Sequence, residues 1–380
     1  MKATQFFIED RLYQKPSHIP VASIDDFSYQ EGAVINAEVI TDDPNISLYC
    51  LDDEHRQAIF VVLPSDISLS KAPFYYQAQF DNAQSLIALP YQELYELAAK
   101  VKLTLAEPIL IYSTGRCGST LLHHIFNESG EVVSFSEPDV FTQMIHLQAR
   151  NSLQDLEIIS LIQDCTRLIF KPISGLRAYH HAIKFRNQCI ALMELFHQAF
   201  PKAKNLFLYR NALDYVASEY RLLNRHRISN LVPVNDALAW LERYHGTIAL
   251  GKLGICLKTD TLSWFECFAL NWLIIMDRAL AYSAQNIPML PVRYEDLNSN
   301  RLKTVTQLFE YCNLPCTRVM EGLKAFERDS QQGTVLARDS SNCGNTTLFD
   351  ETQKSKIAAI IAQHPVIQSP NFIMPGTLRL

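Results

Sequence analysis

A short loop of the chain places two glycines, one cation and two hydroxyl groups side by side. It lies in IYSTGRCGSTLLHHI (111–125), which predicts a buried strand, a turn and then a helix. Gly115 and Gly118 allow a tight turn, and the first N–H groups of the helix have no partner within it. With Arg116 nearby and the helix dipole behind these N–H groups, the loop has the chemistry of a phosphate site.

The position of the cation separates this loop from that of nucleotide triphosphatases. In those loops lysine follows the last glycine and reaches the β- and γ-phosphates. Here Ser119 follows Gly118, and Arg116 stands two residues before that glycine. No acidic residue is evident at a later strand end to hold Mg²⁺. The loop therefore favours a 5′-phosphate and its next anionic group, and an ordinary strand–helix turn is the alternative.

A second anion-binding pattern lies in NLFLYRNALDYVASEYR (205–221). Arg210 is expected at the carboxyl end of a buried strand, where open α/β sheets bind ligands. Asn211 is expected to cap the following helix together with Asp214. Ser218 lies eight residues after Arg210, about two turns into that helix. A fixed guanidinium and a hydroxyl together make a phosphate clamp.

Both patterns require a sheet whose strand ends lie side by side, and the sequence after residue 105 predicts such a sheet. Apolar strands are predicted at 107–114, 167–173, 205–210 and 288–297. Helices alternate with them, including one from about 181 to 199. This alternation indicates a parallel sheet covered on both faces, which is a three-layer α/β/α domain of P-loop type.

Residues 1–105 show a different pattern and are predicted to form a separate, small β-rich module. Its β-branched and aromatic runs, PFYYQAQF (73–80) among them, are predicted as strands, and 90–101 is predicted as a helix. No group of residues in this module points to chemistry, so its role is open. The predicted domains are therefore 1–105 and 106–380.

Composition and charge narrow the class of protein. Of the 380 residues, 48% are hydrophobic and 19% charged, which favours a folded core over disorder. The net charge of −6 disfavours a globally basic nucleic-acid binder. Residues 165–230 nevertheless hold 11 Lys and Arg against 3 Asp and Glu, and this local excess favours an anion site.

Segments that would direct the chain to a membrane or to export are not evident. The first twenty residues lack the pattern of a secretory signal, and no apolar run reaches about 18 residues. The 9 cysteines are scattered, without a second Cys or His pair to complete a zinc site. We expect a cytoplasmic protein without a metal or a transmembrane segment, and its oligomeric state is open.

The two anion-binding patterns resemble those of the sulfotransferases that use 3′-phosphoadenosine 5′-phosphosulfate (PAPS). That family carries (K/R)-x-G-(S/T)-(S/T) after its first strand, and the match here is Arg116-Cys117-Gly118-Ser119-Thr120. It also carries R-N-P-x-D-x-x-x-S, matched from Arg210 to Ser218 with Ala212 in place of proline. A third feature is an apolar strand ending in Y-E-D-L, found here from Tyr294 to Leu297. The resemblance covers roughly 106–335.

The resemblance implies a binding role for each matching residue. It implies that Arg210 and Ser218 hold the 3′-phosphate of PAPS and that Tyr294 contacts adenine. It implies that the 5′-phosphosulfate is held by Arg116, Cys117, Gly118, Ser119, Thr120 and Leu121. The late Arg-Lys-Gly segment of the family has no clean counterpart, and DSQQGT (329–334) is the candidate for its place.

The resemblance also implies which side chains do chemistry. Small-molecule members use a strand histidine, which is absent from FKPIS (170–174). Carbohydrate and bacterial members carry a glutamate about twenty residues after the loop, and VSFSEPDVF (133–141) places Glu137 there. Asp139 is the competing carboxylate. Lys171, at the position of the family's strand lysine, is expected to stabilise charge on the bridging oxygen.

The resulting hypothesis is an enzyme that moves a sulfuryl group from PAPS to a hydroxyl group by in-line displacement. Glu137 would be the general base, and Lys171 and Arg116 would neutralise charge. The product nucleotide would be adenosine 3′,5′-bisphosphate, and the acceptor a saccharide, lipid, peptide or small molecule bearing a hydroxyl group. A P-loop kinase of a small molecule and a catalytically silent nucleotide-binding protein are the alternatives.

Overall fold

The computed structural model describes residues 1–12, 21–102, 107–150, 153–171, 180–224, 231–246, 248, 250–332 and 349–378. The chain divides into two compact units, each made of several segments. The first contains Met1–Ile109, Gly130–Phe185 and Leu195–Ala203, and the second contains Leu110–Ser129, Arg186–Glu194 and Lys204–Leu380. The domain boundary at 105/106 that the sequence indicated stays a prediction.

The described strands, in chain order, are β1 Lys2–Arg11, β2 Phe27–Asn36, β3 Ile46–Asp52, β4 Gln57–Val62, β5 Ser85–Pro90, β6 Ile109–Ser113, β7 Val132–Ser136, β8 His180–Lys184, β9 Lys204–Tyr209, β10 Leu231–Pro233, β11 Thr261–Ser263 and β12 Leu290–Arg293. The described α-helices are α1 Val39–Asp42, α2 Tyr75–Asn82, α3 Tyr91–Lys100, α4 Ser119–Glu128, α5 Asp139–Ala149, α6 Asp155–Ile169, α7 Met193–Ala199, α8 Ala212–Asn224, α9 Val234–His245, α10 Trp264–Ala284, α11 Tyr294–Ser299, α12 Arg301–Tyr311, α13 Val319–Leu323 and α14 Glu351–Ile361.

The N-terminal strands form one antiparallel sheet in the order β2-β1-β5-β4-β3. This sheet confirms the predicted β-rich module, and α3 confirms the helix predicted at 90–101. The strand predicted at 73–80 is wrong, because α2 begins at Tyr75. The buried residues of that helix, Tyr75, Gln79 and Phe80, recur about one turn apart, which is the spacing of a helix face.

The second large sheet has five strands in the order β12-β9-β6-β8-β7. The pairs β12–β9 and β7–β8 are in parallel register. With helices flanking it, this parallel sheet confirms the predicted α/β fold. Arg210 and Tyr294, both in the second unit, directly follow the carboxyl ends of β9 and β12, which is where open parallel sheets bind ligands. In the first unit, Glu137 follows the carboxyl end of β7.

The strand predicted at 167–173 is wrong. Helix α6 continues through Ile169 and is capped by the backbone of Phe170. Leu161, Cys165 and Leu168 are buried three or four residues apart, so the apolar residues taken for a strand extend the buried face of a helix. The strand is β8 instead, within the segment predicted as the start of a helix at 181. Residues 172 and 173 lie outside the described part of the chain.

Lys171 immediately follows α6 and is bound by the N-terminal module. Its ammonium group donates to the carbonyl oxygen of Ile40, and to those of Asp43 and Ile46 at 2.6 Å each. Burial lowers the pKa of Lys171 to about 8, although the nearby Asp43 and Asp42 oppose that shift. An ammonium has three N–H groups, and the three carbonyls use all of them.

Replacing Lys171 with Met is therefore expected to destabilise the first unit. Three carbonyl groups would lose their donor, and each buried polar group left unpaired costs about 1–3 kcal/mol. We expect the free energy of unfolding, measured by denaturant titration, to fall by at least about 3 kcal/mol. Lys202→Met, at an exposed lysine of the same unit, is the matched control and should change stability little. If Lys171→Met left stability unchanged and lowered turnover a hundredfold, Lys171 would have a catalytic role instead of a structural one.

Candidate active site

The loop between β6 and α4 combines three residues in left-handed backbone conformations. The φ angles are 84° at Gly115, 53° at Arg116 and 79° at Gly118. The hydroxyl of Ser113 accepts a hydrogen bond from the Gly115 N–H at 3.3 Å. Successive backbone N–H groups in turn conformations form concave nests that bind anions, and α4 begins directly after Gly118. The geometry therefore supports the predicted anion site at the start of α4.

Side chains from the two sequence patterns meet at Arg116. Its Nε donates to the Ser218 hydroxyl at 3.0 Å, and its carbonyl oxygen accepts from Nη1 of Arg210 at 2.9 Å. The Arg210 guanidinium also lies 4.8 Å from the centre of the Tyr294 ring and 3.4 Å from the Asp214 carboxylate. The loop, the Arg–Ser clamp and the Y-E-D-L motif are thus joined through one guanidinium group.

One N–H group of the Arg210 side chain lacks a hydrogen-bond acceptor among the described residues. Its Nε is buried and has no hydrogen-bond partner among the described residues. Buried N–H groups are nearly always paired, so an orphaned one needs an explanation. A phosphate oxygen is the natural acceptor for a guanidinium held in this way. The Arg210 side chain therefore fits an anionic ligand.

The Y-E-D-L motif also positions the helix that carries Ser218. Asn211 Oδ1 accepts from the Asp214 N–H at 2.9 Å, which confirms the predicted cap of α8. The backbone N–H of Asn211 is bonded to Glu295 Oε1 at 3.0 Å rather than to Asp214. Glu295 therefore completes the cap from a distant part of the sequence, a contact that local sequence patterns do not predict.

The Cys117 side chain is fully buried and its thiol donates to the carbonyl oxygen of Leu208 on β9 at 3.2 Å. This contact fixes the loop to the neighbouring strand. The contribution of Cys117 to an anion site is then that of its backbone.

A buried polar network, which the sequence analysis missed, packs against helix α8 and the residue before its cap. Asn271 donates to the Tyr215 hydroxyl at 2.5 Å, and His245 Nε2 lies 2.5 Å from Asn271 Oδ1. Burial lowers the pKa of His245 to about 3, so its ring is neutral at pH 7. Trp272 donates to the carbonyl oxygen of Arg210 at 3.0 Å. Asn271 was the available signal, since it is a lone amide in the apolar run FALNWLII.

In the first unit, Glu137 and Lys184 form a pair at the ends of neighbouring strands. The Lys184 ammonium contacts Glu137 Oε1, and the Glu137 N–H donates to the Lys184 carbonyl oxygen at 2.6 Å. The side chains are 14% exposed for Glu137 and 5% for Lys184. Glu137 has a φ of 61°, a conformation that is uncommon for a residue with a side chain and clusters at functional sites.

The competing carboxylate, Asp139, has a structural role. It is 1% exposed, and its Oδ2 accepts from the backbone N–H of Ala22 at 2.9 Å. Of the two candidates, Glu137 is thus the one whose carboxylate keeps a partial opening to solvent. The structure does not bring Lys171 to this pair. The lysine at the strand end is Lys184, which the sequence analysis missed because β8 was taken for the start of a helix.

The candidate late segment, 329–334, is described through Gln332. His124 Nε2 on α4 lies 3.0 Å from the carbonyl oxygen of Ser330, and Arg328 forms an ion pair with Glu128. One face of α4 therefore holds the start of this segment. Residues 333 and 334 lie outside the described residues.

The described residues show neither a metal-binding cluster nor a membrane-spanning helix. They contain no group of three or more His, Cys, Asp and Glu side chains arranged to hold a metal ion. None of the helices described has both the length and the apolar character needed to cross a membrane.

Residues 106–345, more than half of the chain, match the family described as a sulfotransferase domain. Among solved structures, a sulfotransferase from Alicyclobacillus acidocaldarius is 15% identical with a TM-score of 0.36, over 58% of this chain and 91% of that one. The sulfotransferase domain from the curacin biosynthetic pathway is 18% identical with a TM-score of 0.39, over 70% and 95%. That of the Synechococcus PCC 7002 olefin synthase is 14% identical with a TM-score of 0.34, over 68% and 96%. No curated protein matches the chain.

Gly118→Ala should test the loop geometry. A Cβ atom at this position would lie 3.0 Å from two ring carbons of Tyr294, so the ring that packs on Arg210 must move. Gly130→Ala is the matched control, because Gly130 has a φ of 75° and a Cβ there would meet nothing within 4 Å. Both variants should lose about 1–2 kcal/mol through backbone strain. Only Gly118→Ala should weaken binding of adenosine 3′,5′-bisphosphate, by at least about tenfold in calorimetry. Equal affinities of the two variants for the bisphosphate would contradict the assignment of this loop as a nucleotide-binding site.

Proposed function

The chain belongs to the sulfotransferase family, and on that premise we propose that it uses PAPS to sulfate a hydroxyl-bearing acceptor. The proposal is supported mainly by the environment of the Arg210 side chain. Its guanidinium is fixed by the Arg116 carbonyl and the Tyr294 ring, and its buried Nε is left without a partner among the described residues. A second anionic group on the nucleotide, the 3′-phosphate of PAPS, would supply the missing acceptor.

The remaining groups of this unit fit the rest of the co-substrate. The N–H groups that open α4 would bind the 5′-phosphosulfate, with Arg116 as the loop cation. Ser218, already bonded to Arg116, would share the 3′-phosphate with Arg210. Tyr294, whose ring contacts the guanidinium, would pack against adenine. The binding of PAPS then needs no metal ion, because backbone N–H groups and guanidinium groups neutralise its charges.

In the proposed reaction, the acceptor hydroxyl attacks sulfur in line with the bond to the bridging oxygen. The new O–S bond forms as the old S–O bond breaks, and the bonding pair leaves with the 5′-phosphate of adenosine 3′,5′-bisphosphate. The proton of the hydroxyl passes to the carboxylate of Glu137, which acts as general base. The Lys184 ammonium contacts the carboxylate and holds it at the end of β7 in a largely buried setting.

Lys184, rather than Lys171, is proposed to stabilise the charge that develops on the bridging oxygen. The three N–H groups of Lys171 are occupied by carbonyl oxygens of Ile40, Asp43 and Ile46. Lys184 contacts Glu137, so its ammonium would lie beside a hydroxyl that gives its proton to that carboxylate. A preorganised cation where charge develops is a large contribution to rate.

Glu137→Gln should lower turnover strongly and preserve nucleotide binding. The amide keeps the size of the side chain and removes the proton acceptor, so the turnover number should fall about 10²–10⁴-fold. Bisphosphate affinity should stay within about threefold, under roughly 0.7 kcal/mol. Asp139→Asn is the matched control at the neighbouring carboxylate. It should lower stability through its bond to Ala22 and change turnover by less than about tenfold. A turnover of Glu137→Gln within threefold of the parent would exclude Glu137 as the base.

The nucleotide preference tests the donor class without knowledge of the acceptor. Adenosine 3′,5′-bisphosphate should raise the melting temperature clearly more than 5′-AMP or ATP, because only it carries the 3′-phosphate. At a concentration of about 100 times the dissociation constant, a ligand stabilises a fold by roughly 2.7 kcal/mol.

Arg210→Ala should remove most of that preference. A hydrogen bond to a charged group contributes about 1.5–3 kcal/mol, which is roughly ten- to hundredfold in affinity. Arg301→Ala is the control, since the Arg301 guanidinium also packs on an aromatic ring, that of Phe326 at 4.7 Å. Equal stabilisation of the parent protein by ATP and the bisphosphate, or transfer that EDTA abolishes and Mg²⁺ restores, would favour a kinase instead.

A further inference from the structure

The elements around Arg210 are bonded to residues that lie beyond the family match. That match ends at residue 345, and residues 364–378 follow α14. We call residues 364–378 the strap. Its contacts with β9, β12 and α8 all lie within the second unit. The strap is therefore a neighbour of the Arg210 site that the three sequence motifs do not include.

The strap meets β9 at Tyr209, a buried residue directly before Arg210. The Tyr209 hydroxyl oxygen accepts from the Met374 N–H at 3.2 Å and lies 2.7 Å from Thr377 Oγ1. Because Thr377 gives its own proton to the Met374 carbonyl oxygen at 2.6 Å, Tyr209 is the donor to Thr377. The three bonds form a closed ring in which each hydroxyl donates once and accepts once.

The strap meets α8 at Ala212, two residues after Arg210. The Ala212 N–H donates to the carbonyl oxygen of Pro370 at 2.8 Å. The family motif has proline at this position, and proline has no N–H to donate. The departure from the motif therefore supplies the donor for this bond. Together with the ring at Tyr209, the bond attaches the chain to the strap on both sides of Arg210.

A third contact joins the strap to the strand that leads into Tyr294. The Leu378 N–H donates to the carbonyl oxygen of Pro291 on β12 at 3.0 Å. At its other end the strap is anchored on α10 by the buried side chain of His364. The Nδ1 atom of His364 accepts from two N–H groups of the strap, and Nε2 lies 3.1 Å from Asp277 Oδ1. The strap is therefore held at both ends within the second unit.

We propose that the strap fixes the ends of β9 and β12 for nucleotide binding, with Tyr209 and Ala212 as positioning residues for the Arg210 guanidinium. The inference rests on the proposed function, because it takes Arg210 as the ligand of the 3′-phosphate. The guanidinium lies 4.8 Å from the centre of the Tyr294 ring, so a shift of either strand end moves it relative to that phosphate. A binding group that is already oriented loses less entropy when the ligand arrives.

Variants of Thr377 test the ring of hydrogen bonds without a change in β9. Thr377→Val removes the hydroxyl that accepts from Tyr209, and Thr377→Ser keeps it. In the full chain, Thr377→Val should weaken binding of adenosine 3′,5′-bisphosphate about tenfold in calorimetry and leave binding of 5′-AMP within about threefold. Thr377→Ser should restore the parent values. An unchanged ratio of the two affinities in Thr377→Val would mean a purely structural role and would overturn the proposal.

Ala212→Pro tests the second contact with the loss of a single N–H group. Ala212 is the first residue of α8, a position where helices accept proline, so the variant should fold. We expect the preference for the bisphosphate over 5′-AMP to fall at least about threefold. Val234→Pro is the matched control, because Val234 begins α9 and its N–H also donates to a distant carbonyl oxygen, that of Asp260 at 3.0 Å. Equal preferences in the two proline variants would contradict the proposed role of Ala212.

Nucleotide binding by the unmutated chain separates this inference from the proposed function. If the parent prefers the bisphosphate and the strap variants keep that preference, the strap has no positioning role and the donor site stands. If the parent binds the bisphosphate and 5′-AMP equally, the proposed function fails and the inference about the strap fails with it.

Discussion

The guanidinium of Arg210 is the constraint on which the second unit depends. It bonds the carbonyl of Arg116, lies over the Tyr294 ring and pairs with Asp214, so three separate parts of the sequence are fixed by one planar group. Lysine could not replace it, because an ammonium has neither the planar surface for the ring nor several donors in a fixed fork. The shape of the loop follows from this: Arg116 adopts a φ of 53°, which lets its carbonyl meet Arg210 while its side chain reaches Ser218.

The Glu137–Lys184 pair, unlike Arg210, is expected to contribute little to the stability of the fold. A largely buried ion pair contributes little net stability, because removing both charges from water offsets their attraction. Glu137 also adopts a backbone conformation that costs of order 1–3 kcal/mol in a residue with a side chain. Its N–H donates to the Lys184 carbonyl and its carboxylate binds the Lys184 ammonium, so the strain is held by contacts on both sides. An arrangement that adds little to stability and maintains strain is typical of a site kept for its chemistry.

The sequence indicated the glycine loop and the spacing of Arg210 and Ser218, because these residues form recognisable local patterns. The structure brings the two patterns together at Arg116. The wrong strand prediction arose where a helix and a strand share the same apolar pattern. The apolar residues 168–170 end the buried face of α6, and a short apolar run fits a strand equally well. That error displaced the next strand, and with it Lys184. The cap from Glu295 to Asn211 and the contact of Phe74 with Lys184 join residues far apart in sequence, so no local pattern predicts them.

The carbonyl groups that bind Lys171 have a consequence for how the chain is made. Ile40 and Lys171 are 131 residues apart in sequence, and synthesis proceeds from the N-terminus. During elongation the carbonyls of Ile40, Asp43 and Ile46 must be hydrated until a lysine made much later displaces the water. Contacts of such long range are slow to form, because a long loop must close before they stabilise anything. The N-terminal sheet is therefore synthesised before Lys171, but this part of it acquires its final packing late.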